Sequence, residues 1–440
     1  MEKPTIAALA TPRGRGGVAV IRVSGPDAFA IASSLSARDV SAKDAGRFFH
    51  CRFRDGGKIL DDGLLLVFAA PKSYTGEDVV EIQTHGGSVV PRLVLETIVR
   101  LGARIARKGE FTQRAFLNGR MDLSQAEAVI DLIDAHTERS ARDATARLAG
   151  ALAHPFERLY SGLIEVSGTI EHALDFDESE LPETFHSNLI GKLNGLIGEM
   201  EVLCSSAREG KILREGASVV LAGKPNAGKS SLLNALLGES RAIVSDIPGT
   251  TRDSIEEFVE IAGWPLRLSD TAGLRETDDA IEAEGVERSE RLVKEADIVL
   301  SLAETGGEFE EFPGCASVLR VRTKIDLANG ASVGDGCDVG VSAVTGEGLD
   351  GLKKILTEEL ARISAKRDDV SGADVTTRQL ECLNDAVGFA RRAVQSLENE
   401  EYVIAANESA DAARVVGRIL GKVYSEDLLD SLFSRFCVGK

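Results

Sequence analysis

The spacing of apolar residues divides the chain into stretches of different character. Short apolar runs between glycine-rich turns, at Val18–Val23, Leu64–Phe68 and Val79–Ile82, are typical of strands. The amphipathic pattern at Val90–Leu101 indicates a helix. The pattern over residues 1–118 therefore predicts a mixed α+β domain.

From about residue 119 the apolar positions recur at the period of a helix. Between Ala126 and Ile133 they return about every 3.6 residues, on one face. Ser124 and Glu127 have the spacing of a capping box, which predicts a helix with Ser124 at its N-cap. The helical pattern continues to about residue 208, with an acidic interruption at Asp175–Pro182.

A different pattern occupies the stretch from Gly216 to about Leu360. A strand-like run at 219–222 leads into a glycine-rich loop and then a helix, as in an α/β nucleotide-binding domain. Residues 365–372 have the composition of a linker, and helical periodicity then returns from about Thr376 to Phe436.

The simplest architecture is a multidomain protein with α/β and all-α parts. Residues 1–118 would form an N-terminal α+β domain, and residues 119–214 and 373–440 one discontinuous helical domain. Residues 215–372 would form an inserted P-loop α/β domain. The two ends of an inserted domain lie close together, which suits a mobile unit attached to a rigid base.

Composition narrows the class of protein. A chain of 440 residues is too long for one hydrophobic core, and 43% hydrophobic with 28% charged residues is ordinary for a globular protein. No secretory signal is recognised, and no apolar run approaches the roughly 18 residues of a membrane span. The six cysteines are scattered without a CxxC pair, as in a reduced cytoplasmic protein. The net charge of −19 argues against a protein that coats nucleic acid by bulk electrostatics. The basic cluster of Arg100, Arg104, Arg107 and Lys108 is either a solvated surface or a local RNA-binding patch.

The segment Gly223–Ser230 matches the P-loop pattern GxxxxGK[ST] in a strand-to-helix context. Its glycines let backbone N–H groups face phosphates, and the helix N-terminus adds positive potential. Lys229 would reach the β- and γ-phosphates, and the Ser230 hydroxyl would hold Mg²⁺. The predicted nucleotide contacts in this segment are Asn226, Ala227, Gly228, Lys229, Ser230 and Ser231.

Two later segments follow in the order that a GTPase requires. Asp246–Asp253 supplies Thr251, whose hydroxyl and carbonyl would sense Mg²⁺ and the γ-phosphate. Leu266–Gly273 places Asp270 at the end of a strand, and Gly273 could offer its N–H to the γ-phosphate. The predicted nucleotide contacts here are Asp270, Thr271, Ala272 and Gly273.

The base is predicted to be guanine, so the ligands would be GTP and GDP. Thr323-Lys324-Ile-Asp326 resembles the NKxD motif, in which the aspartate accepts from guanine N1 and N2. Ser342 and Ala343 resemble the loop whose backbone contacts guanine O6. Thr323 replaces the usual asparagine with a hydroxyl, so its contacts with guanine N7 and with the P-loop are expected to change, whereas Asp326 keeps the guanine preference.

Leu274 follows Gly273 where Ras-like proteins carry a glutamine that positions water. An apolar side chain cannot orient water. A partner, a second subunit or a metal ion must therefore stabilise the transition state.

Taken together, the motifs resemble those of the MnmE (TrmE) family of tRNA modification GTPases over almost the whole chain. The GTPase motifs alone would not separate this family from ribosome-assembly GTPases, which act as nucleotide-switched RNA-binding modules and remain the alternative. The matching segments are Ala10–Gly17, Ile21–Gly25, Tyr74–Glu81, His85–Gly87, Gly109–Asn118, Asp122–Glu127, Asn226–Ser231, the switch sequence up to Asp253, and Phe436–Lys440.

The resemblance implies a folate-binding N-terminal domain, a discontinuous helical domain and an inserted G domain. It further implies a homodimer through the N-terminal domains and a partner of the MnmG type that uses FAD and NADH. Together they would add an aminomethyl or carboxymethylaminomethyl group to C5 of the wobble uridine of certain tRNAs. The carbon would come from formyl- or methylene-tetrahydrofolate.

The resemblance also implies a folate site made of Arg22, Glu81, Arg120 and Lys440, with Cys437 nearby in a catalytic role. Position 120 is Arg where members of the family often have Lys; the charge is kept with a different geometry. Cations of this kind pair with the glutamyl carboxylates of a folate, and a carboxylate accepts from the pterin edge.

Finally, the resemblance implies G domains that dimerise across their switch regions, with K⁺ in place of an arginine finger. Glu282 would orient the attacking water indirectly; alternatively it is a solvated surface residue. The predicted metal ligands are Ser230 and Thr251 for Mg²⁺, and Asn226, Ser245, Ile247 and Thr250 for K⁺; the predicted catalytic residues are Lys229, Thr251, Asp270, Gly273, Glu282 and Cys437.

Overall fold

The computed structural model of the chain describes residues 4–175, 182, 184–239, 256–270, 291–315, 317–327, 336–364 and 374–440. Contacts within the chain divide it into two units. The first joins residues 1–130 with 414–440, and the second comprises residues 131–413. The predicted domain boundaries at 118, 214 and 372 remain predictions.

The first unit is built on a six-stranded sheet in the order β3-β4-β5-β2-β1-β6. Its strand pairs are antiparallel except for β1 with β6. The predicted strands are confirmed as parts of β2, β4 and β5. The strands are β1 (Ile6–Leu9), β2 (Val18–Ser24), β3 (Phe48–Asp55), β4 (Lys58–Phe68), β5 (Val79–His85) and β6 (Arg104–Ile105).

Helices α1 (Ala28–Ser36) and α2 (Val90–Arg100) cover one face of this sheet. Alternate positions of the strands point into the layer between them, because successive side chains of a strand face opposite sides. Burying one such aliphatic side chain stabilises the fold by about 1.5–3 kcal/mol. The layer contains Ile21, Val23, Leu65, Val67 and Ile82 from the strands and Ile31, Leu35, Val94 and Ile98 from the helices.

Two further helices follow in sequence, α3 (Glu110–Leu117) and α4 (Leu123–Ile133). The predicted N-cap at Ser124 is wrong, because Ser124 lies buried inside the first turn of α4. Asp122 caps the helix instead. Its carboxylate accepts from the N–H of Gln125 at 2.8 Å, and the Gln125 side chain accepts from the N–H of Asp122 at 2.9 Å. This is the reciprocal pattern of a capping box, displaced by two residues.

The second unit begins with helices α5 (Glu138–Leu148), α6 (Ala153–Ala173) and α7 (Phe185–Glu215). After α7 the chain enters a six-stranded sheet in the order β12-β11-β10-β7-β9-β8, parallel except for the pairing of β8 with β9. Its strands are β7 (Ala217–Gly223), β8 (Glu256–Ile261), β9 (Trp264–Asp270), β10 (Ile298–Glu304), β11 (Val318–Thr323) and β12 (Val339–Gly340).

Helices α8 (Lys229–Glu239) and α9 (Leu349–Ser364) belong to this α/β part. The central strands β7 and β10 are buried almost throughout, as expected of parallel strands covered on both faces. At the end of β7 the backbones of β7 and β10 approach closely. A Cβ at Gly223 would lie 2.3 Å from the Leu302 carbonyl oxygen, so this position requires glycine.

Helical structure returns with α10 (Thr377–Glu398), α11 (Tyr402–Leu420) and α12 (Glu426–Phe433). Thr376 caps α10 by accepting from the N–H of Gln379, and α10 packs along α7. The predicted discontinuous helical segments are thus observed on both sides of the α/β sheet in sequence. Among the described residues no helix combines the length and apolar character needed to cross a membrane.

Candidate functional site

The P-loop connects the carboxyl end of β7 to the first turn of α8. Asn226 and Gly228 adopt left-handed backbone conformations, with φ of 65° and 84°. The Lys229 side chain is buried, and its ammonium donates to the carbonyls of Gly223 at 2.7 Å and Lys224 at 3.0 Å. The loop therefore holds the positive charge of Lys229 in place, ready for an anionic group.

The hydroxyl of Ser230 meets the carboxylate that ends β9. Ser230 Oγ donates to Asp270 Oδ2 at 2.6 Å, and Asp270 is only 5% exposed. The two residues meet because β7 and β9 are parallel neighbours, with Leu221 paired to Asp270. Hydroxyl and carboxylate oxygens are the ligands that Mg²⁺ prefers, so the two residues fit a magnesium ion bound with phosphates.

Thr323, at the end of β11, is buried beneath the P-loop. Its hydroxyl lies 2.8 Å from the Ala227 carbonyl oxygen and 3.3 Å from that of Ala303, and it can donate to either. The contact with the P-loop that the replacement of asparagine put in question is therefore made by the hydroxyl.

The segments predicted to hold the base lie at the same edge of the sheet. Asp326 is exposed in a short 3-10 helix, Ile325–Leu327. The N–H of Ile325 donates to the Val341 carbonyl at 3.4 Å, which joins this segment to the loop of Ser342 and Ala343.

Side chains within these two segments are held by neighbours. Lys324, in a left-handed conformation with φ of 56°, forms an ion pair with Glu304 at 3.0 Å. Ser342 is fully buried, and its hydroxyl accepts from the N–H of Thr345 at 3.1 Å. Ala343 is partly exposed. This arrangement leaves Asp326 accessible beside an ordered loop, as a guanine-binding role requires.

Several predicted residues of the nucleotide site lie outside the described residues. Their roles in binding Mg²⁺, K⁺ and the γ-phosphate remain predictions. The same holds for Asn226 and Ser231, which are described and exposed. Outside the described residues are Ser245, Ile247, Thr250, Thr251, Thr271, Ala272, Gly273, Leu274 and Glu282.

A second cluster of charged groups lies on the sheet of the first unit. Arg22 on β2 stands directly opposite Glu81 on β5, and their side chains pair at 2.8 Å. The Arg22 guanidinium lies 4.8 Å from the centre of the Tyr74 ring and 5.7 Å from that of Phe111. Its Nη1 atom is buried and has no hydrogen-bond partner among the described residues. A ligand acceptor at Nη1 would satisfy this group.

The segment 436–440 runs beside this pair. Val438 forms a bridge with Lys108, and the Lys440 carbonyl accepts from the N–H of Phe111 at 3.2 Å. Gly439 has a φ of 104°, and a Cβ there would lie 2.4 Å from the Leu9 carbonyl oxygen, so glycine is required.

The Lys440 side chain is half-buried, and its ammonium is close enough to Arg22 and Glu81 for their charges to act on it. Burial and the positive charge of Arg22 lower the pKa of Lys440, while Glu81 and Cys437 act in the opposite direction. The fold therefore brings together Arg22, Glu81, Lys440 and Cys437, which lie far apart in sequence. The thiol of Cys437 is reduced and its residue is exposed.

Arg120 lies elsewhere in the same unit. It is exposed, and its Nε donates to the Ser73 carbonyl at 3.0 Å, next to Tyr74. The structure thus joins Arg120 to the loop that carries the aromatic ring and not to the Arg22–Glu81 pair itself.

Sequence reasoning missed the aromatic side chains of this cluster. The Tyr74 hydroxyl and Thr112 Oγ1 are 2.8 Å apart, and burial raises the pKa of Tyr74. The rings of Tyr74 and Phe111 pack together and form an apolar surface beside the Arg22 guanidinium. The available signal was the position of both aromatic residues in the segments 74–81 and 109–118, next to residues of predicted function.

Comparison with known proteins assigns the family. Residues 123–437 match the MnmE helical domain, and residues 5–120 match the GTP-binding protein TrmE N-terminus. The tRNA modification GTPase MnmE of Alkalilimnicola ehrlichii is 44% identical, and that of Symbiobacterium thermophilum 43% identical, each over 100% of both chains. Among solved structures, the G domain of the T. maritima FeoB iron transporter is 27% identical and covers 34% of this chain and 99% of that one. Its TM-score is 0.25, so this likeness does not contribute to the assignment.

These matches span the chain from its first strand to its last helix. They confirm the family that the sequence motifs indicated, and they agree with the predicted fold class. The chain belongs to the MnmE family of tRNA modification GTPases.

Proposed function

We propose that this GTPase drives the addition of an aminomethyl or carboxymethylaminomethyl group to C5 of the wobble uridine of certain tRNAs. It would act with an FAD-dependent partner of the MnmG type and with a one-carbon unit from formyl- or methylene-tetrahydrofolate. The observation that carries the proposal is the cluster of Arg22, Glu81 and Lys440, since a GTPase needs no such site for hydrolysis alone.

The nucleotide site supports GTP hydrolysis through positioning and charge. The Lys229 ammonium would neutralise charge on the β- and γ-phosphates. Ser230 and Asp270 would hold Mg²⁺, which neutralises the developing charge on the phosphate oxygens. Asp326 would select guanine, and the Thr323 hydroxyl would keep the P-loop and the guanine-binding segment in register.

Leu274 offers no group that could position water, so we propose K⁺ as the further positive charge at the transition state. Asn226 would provide a side-chain oxygen, and backbone oxygens of residues 245–250 would complete the set. Asn226 is exposed in a left-handed conformation at the tip of the P-loop, which supports this role. Thr251, Gly273 and Glu282 keep their predicted catalytic roles.

The second cluster has the chemistry that a folate requires. The buried Nη1 of Arg22 can donate to a carbonyl or carboxylate, and Glu81 can accept from N–H groups of a pterin. The Tyr74 and Phe111 rings offer apolar surface to a flat heterocycle. Lys440 and Arg120 would pair with the glutamyl carboxylates, and Cys437 would act near the one-carbon unit. A homodimer through the N-terminal domains is part of the proposal.

The test is nucleoside mass spectrometry of tRNA from a deletion strain complemented with variants of the chain. Glu81→Gln and Lys229→Ala should each leave the wobble uridine unmodified. Glu96→Gln, on the exposed surface of α2, is the matched control and should restore the modification.

Normal wobble uridines in the deletion strain would contradict the proposal. The alternative, a ribosome-assembly GTPase, predicts that outcome together with accumulated ribosomal precursors in sucrose gradients. The two functions are therefore separated by one pair of measurements.

A further inference from the structure

Charged side chains gather where the chain enters and leaves the α/β part of the second unit. The chain passes from α7 to β7 at Gly216 and returns to helical structure at residues 374–376. We call the group the hinge cluster: Asp131, Asp143, Arg147, Glu209, Arg214 and Asp374. Asp143 and Arg147 are buried and the other members are half-buried, and charges in such surroundings need partners to be tolerated.

Arg147 on α5 is the centre of the hinge cluster. Its side chain is 0% exposed, and it donates to Asp131 at 2.7 Å and to Asp143 at 2.9 Å. The other oxygen of Asp143 accepts from the N–H of Asp374 at 3.0 Å. Helix α5 is therefore joined directly to the returning segment.

Arg214 completes the cluster from the last turn of α7, two residues before Gly216. Both of its Nη atoms are buried and have no hydrogen-bond partner among the described residues. Nη2 of Arg147 is likewise buried and has no hydrogen-bond partner among the described residues. A buried N–H group without a hydrogen bond costs free energy, and among the described residues three guanidinium nitrogens of the cluster are in this state.

The returning segment packs against α7 without an intervening side chain. A Cβ at Gly210 would lie 2.4 Å from Asp374 Cβ and 2.8 Å from Nη1 of Arg214. Glycine at position 210 therefore allows the returning segment to lie directly against α7, seven residues before β7 begins. Any loosening of Asp374 from this contact frees the returning segment from α7.

The charge of Asp374 depends on its surroundings. It faces Asp143 and Arg147 from α5, and Glu209 and Arg214 from α7. Burial and the negative charges of Asp143 and Glu209 raise the pKa of Asp374 to about 7, although Arg214 and Arg147 oppose the rise. Asp131 acts through its ion pair with Arg147.

We propose that the hinge cluster is a proton-controlled latch that fastens the returning segment to α5 and α7. Below about pH 7 the fastened state keeps a proton on the carboxyl of Asp374. Opening exposes this half-buried carboxyl fully to water, and the proton then passes to solvent. The α/β part is left attached to its helical base by fewer contacts, so proton release favours its movement.

The direction of the pH dependence of opening, and the pH range over which it occurs, follow from the difference in the pKa of Asp374 between the closed and open states. Asp374 binds its proton more tightly when the latch is closed, since an exposed aspartate has a pKa near 3.9. The opening constant should therefore rise about tenfold per pH unit between about pH 4 and pH 7 and then level off.

Hydrogen–deuterium exchange of the full chain tests this. Peptides within 208–216 and 374–383 would be followed from pH 5.5 to 8.5, with rates corrected for intrinsic exchange. We expect the corrected opening to rise about tenfold from pH 5.5 to 6.5 and to change little above pH 7.5. Asp374→Asn should abolish this pH dependence, whereas Asp385→Asn, an exposed position on α10, should keep the wild-type profile.

A second variant tests the latch even if Asp374→Asn does not fold. Glu209→Gln removes one of the negative charges that face Asp374, so the plateau should begin at a lower pH. A plateau at the same pH in wild type and Glu209→Gln, or the same profile in wild type and Asp374→Asn, would overturn the latch. Exchange in the hairpin of β3 and β4 serves as the internal reference.

Discussion

Thr323 shows how one side chain can serve two segments at a nucleotide site. Its hydroxyl lies within hydrogen-bond distance of the carbonyls of Ala227 in the P-loop and Ala303 at the end of β10. An asparagine at this position would offer an amide with two donors and an acceptor. The threonine keeps the tie to the P-loop with a smaller group.

Removing only this hydroxyl should weaken nucleotide binding. Thr323→Val leaves the Ala227 carbonyl without its donor, and the loss of one hydrogen bond costs about 1 kcal/mol, so the Kd for GDP should rise about fivefold. Fluorescent GDP titration would measure this. Thr323→Ser keeps the hydroxyl and is the matched control; an unchanged Kd in Thr323→Val would show that the tie does not contribute to binding.

At the scale of elements, the start of α3 depends on one buried carboxylate. Glu110 is 3% exposed and forms ion pairs with Arg104 and Arg114, and it accepts from the N–H of Arg107 at 2.8 Å. Burial alone would raise its pKa, but these partners lower it to about 2. A carboxylate in the first turn also interacts favourably with the helix dipole.

Glu110→Gln should therefore destabilise the fold near neutral pH by about 3 kcal/mol. The pKa of Glu110 is depressed on folding, so its contribution is complete above the unfolded pKa of about 4.5 and is lost as pH falls towards 2. Urea unfolding of wild type and variant at pH 7 and near pH 2 measures this. A difference in unfolding free energy that persists at the lower pH would contradict it.

Elements with strong periodicity were predictable from the sequence, as α2 and β5 show. Local capping was less so, because both Ser124 and Asp122 satisfy the pattern and only packing decides between them. The contact between Asp143 and Asp374 joins residues 231 positions apart, and no local pattern reports such a contact. The Arg22–Glu81 pair was accessible only through the family resemblance, since in a strand both are unremarkable residues.

For the whole molecule, hydrolysis and the proposed folate chemistry belong to different units. The P-loop and Asp270 lie in the second unit, whereas Arg22 and Glu81 lie in the first. Hydrolysis should then respond to the proposed K⁺ at the P-loop independently of the proposed folate site.

GTP hydrolysis should be at least about tenfold faster in KCl than in NaCl at matched ionic strength, because a cation in the position of an arginine finger stabilises transition-state charge by larger factors still. Asn226→Ala should remove most of this difference. Asn407→Ala, at an exposed position on α11, should keep it. Equal rates in the two salts for the wild-type chain would exclude the proposed role of K⁺.

The contact between Gly210 and Asp374 has a consequence for protein engineering. Since the returning segment lies against α7 only seven residues before β7 begins, a short link from α7 to α10 could replace the α/β part without redirecting either helix. The same junction could accept a different inserted domain.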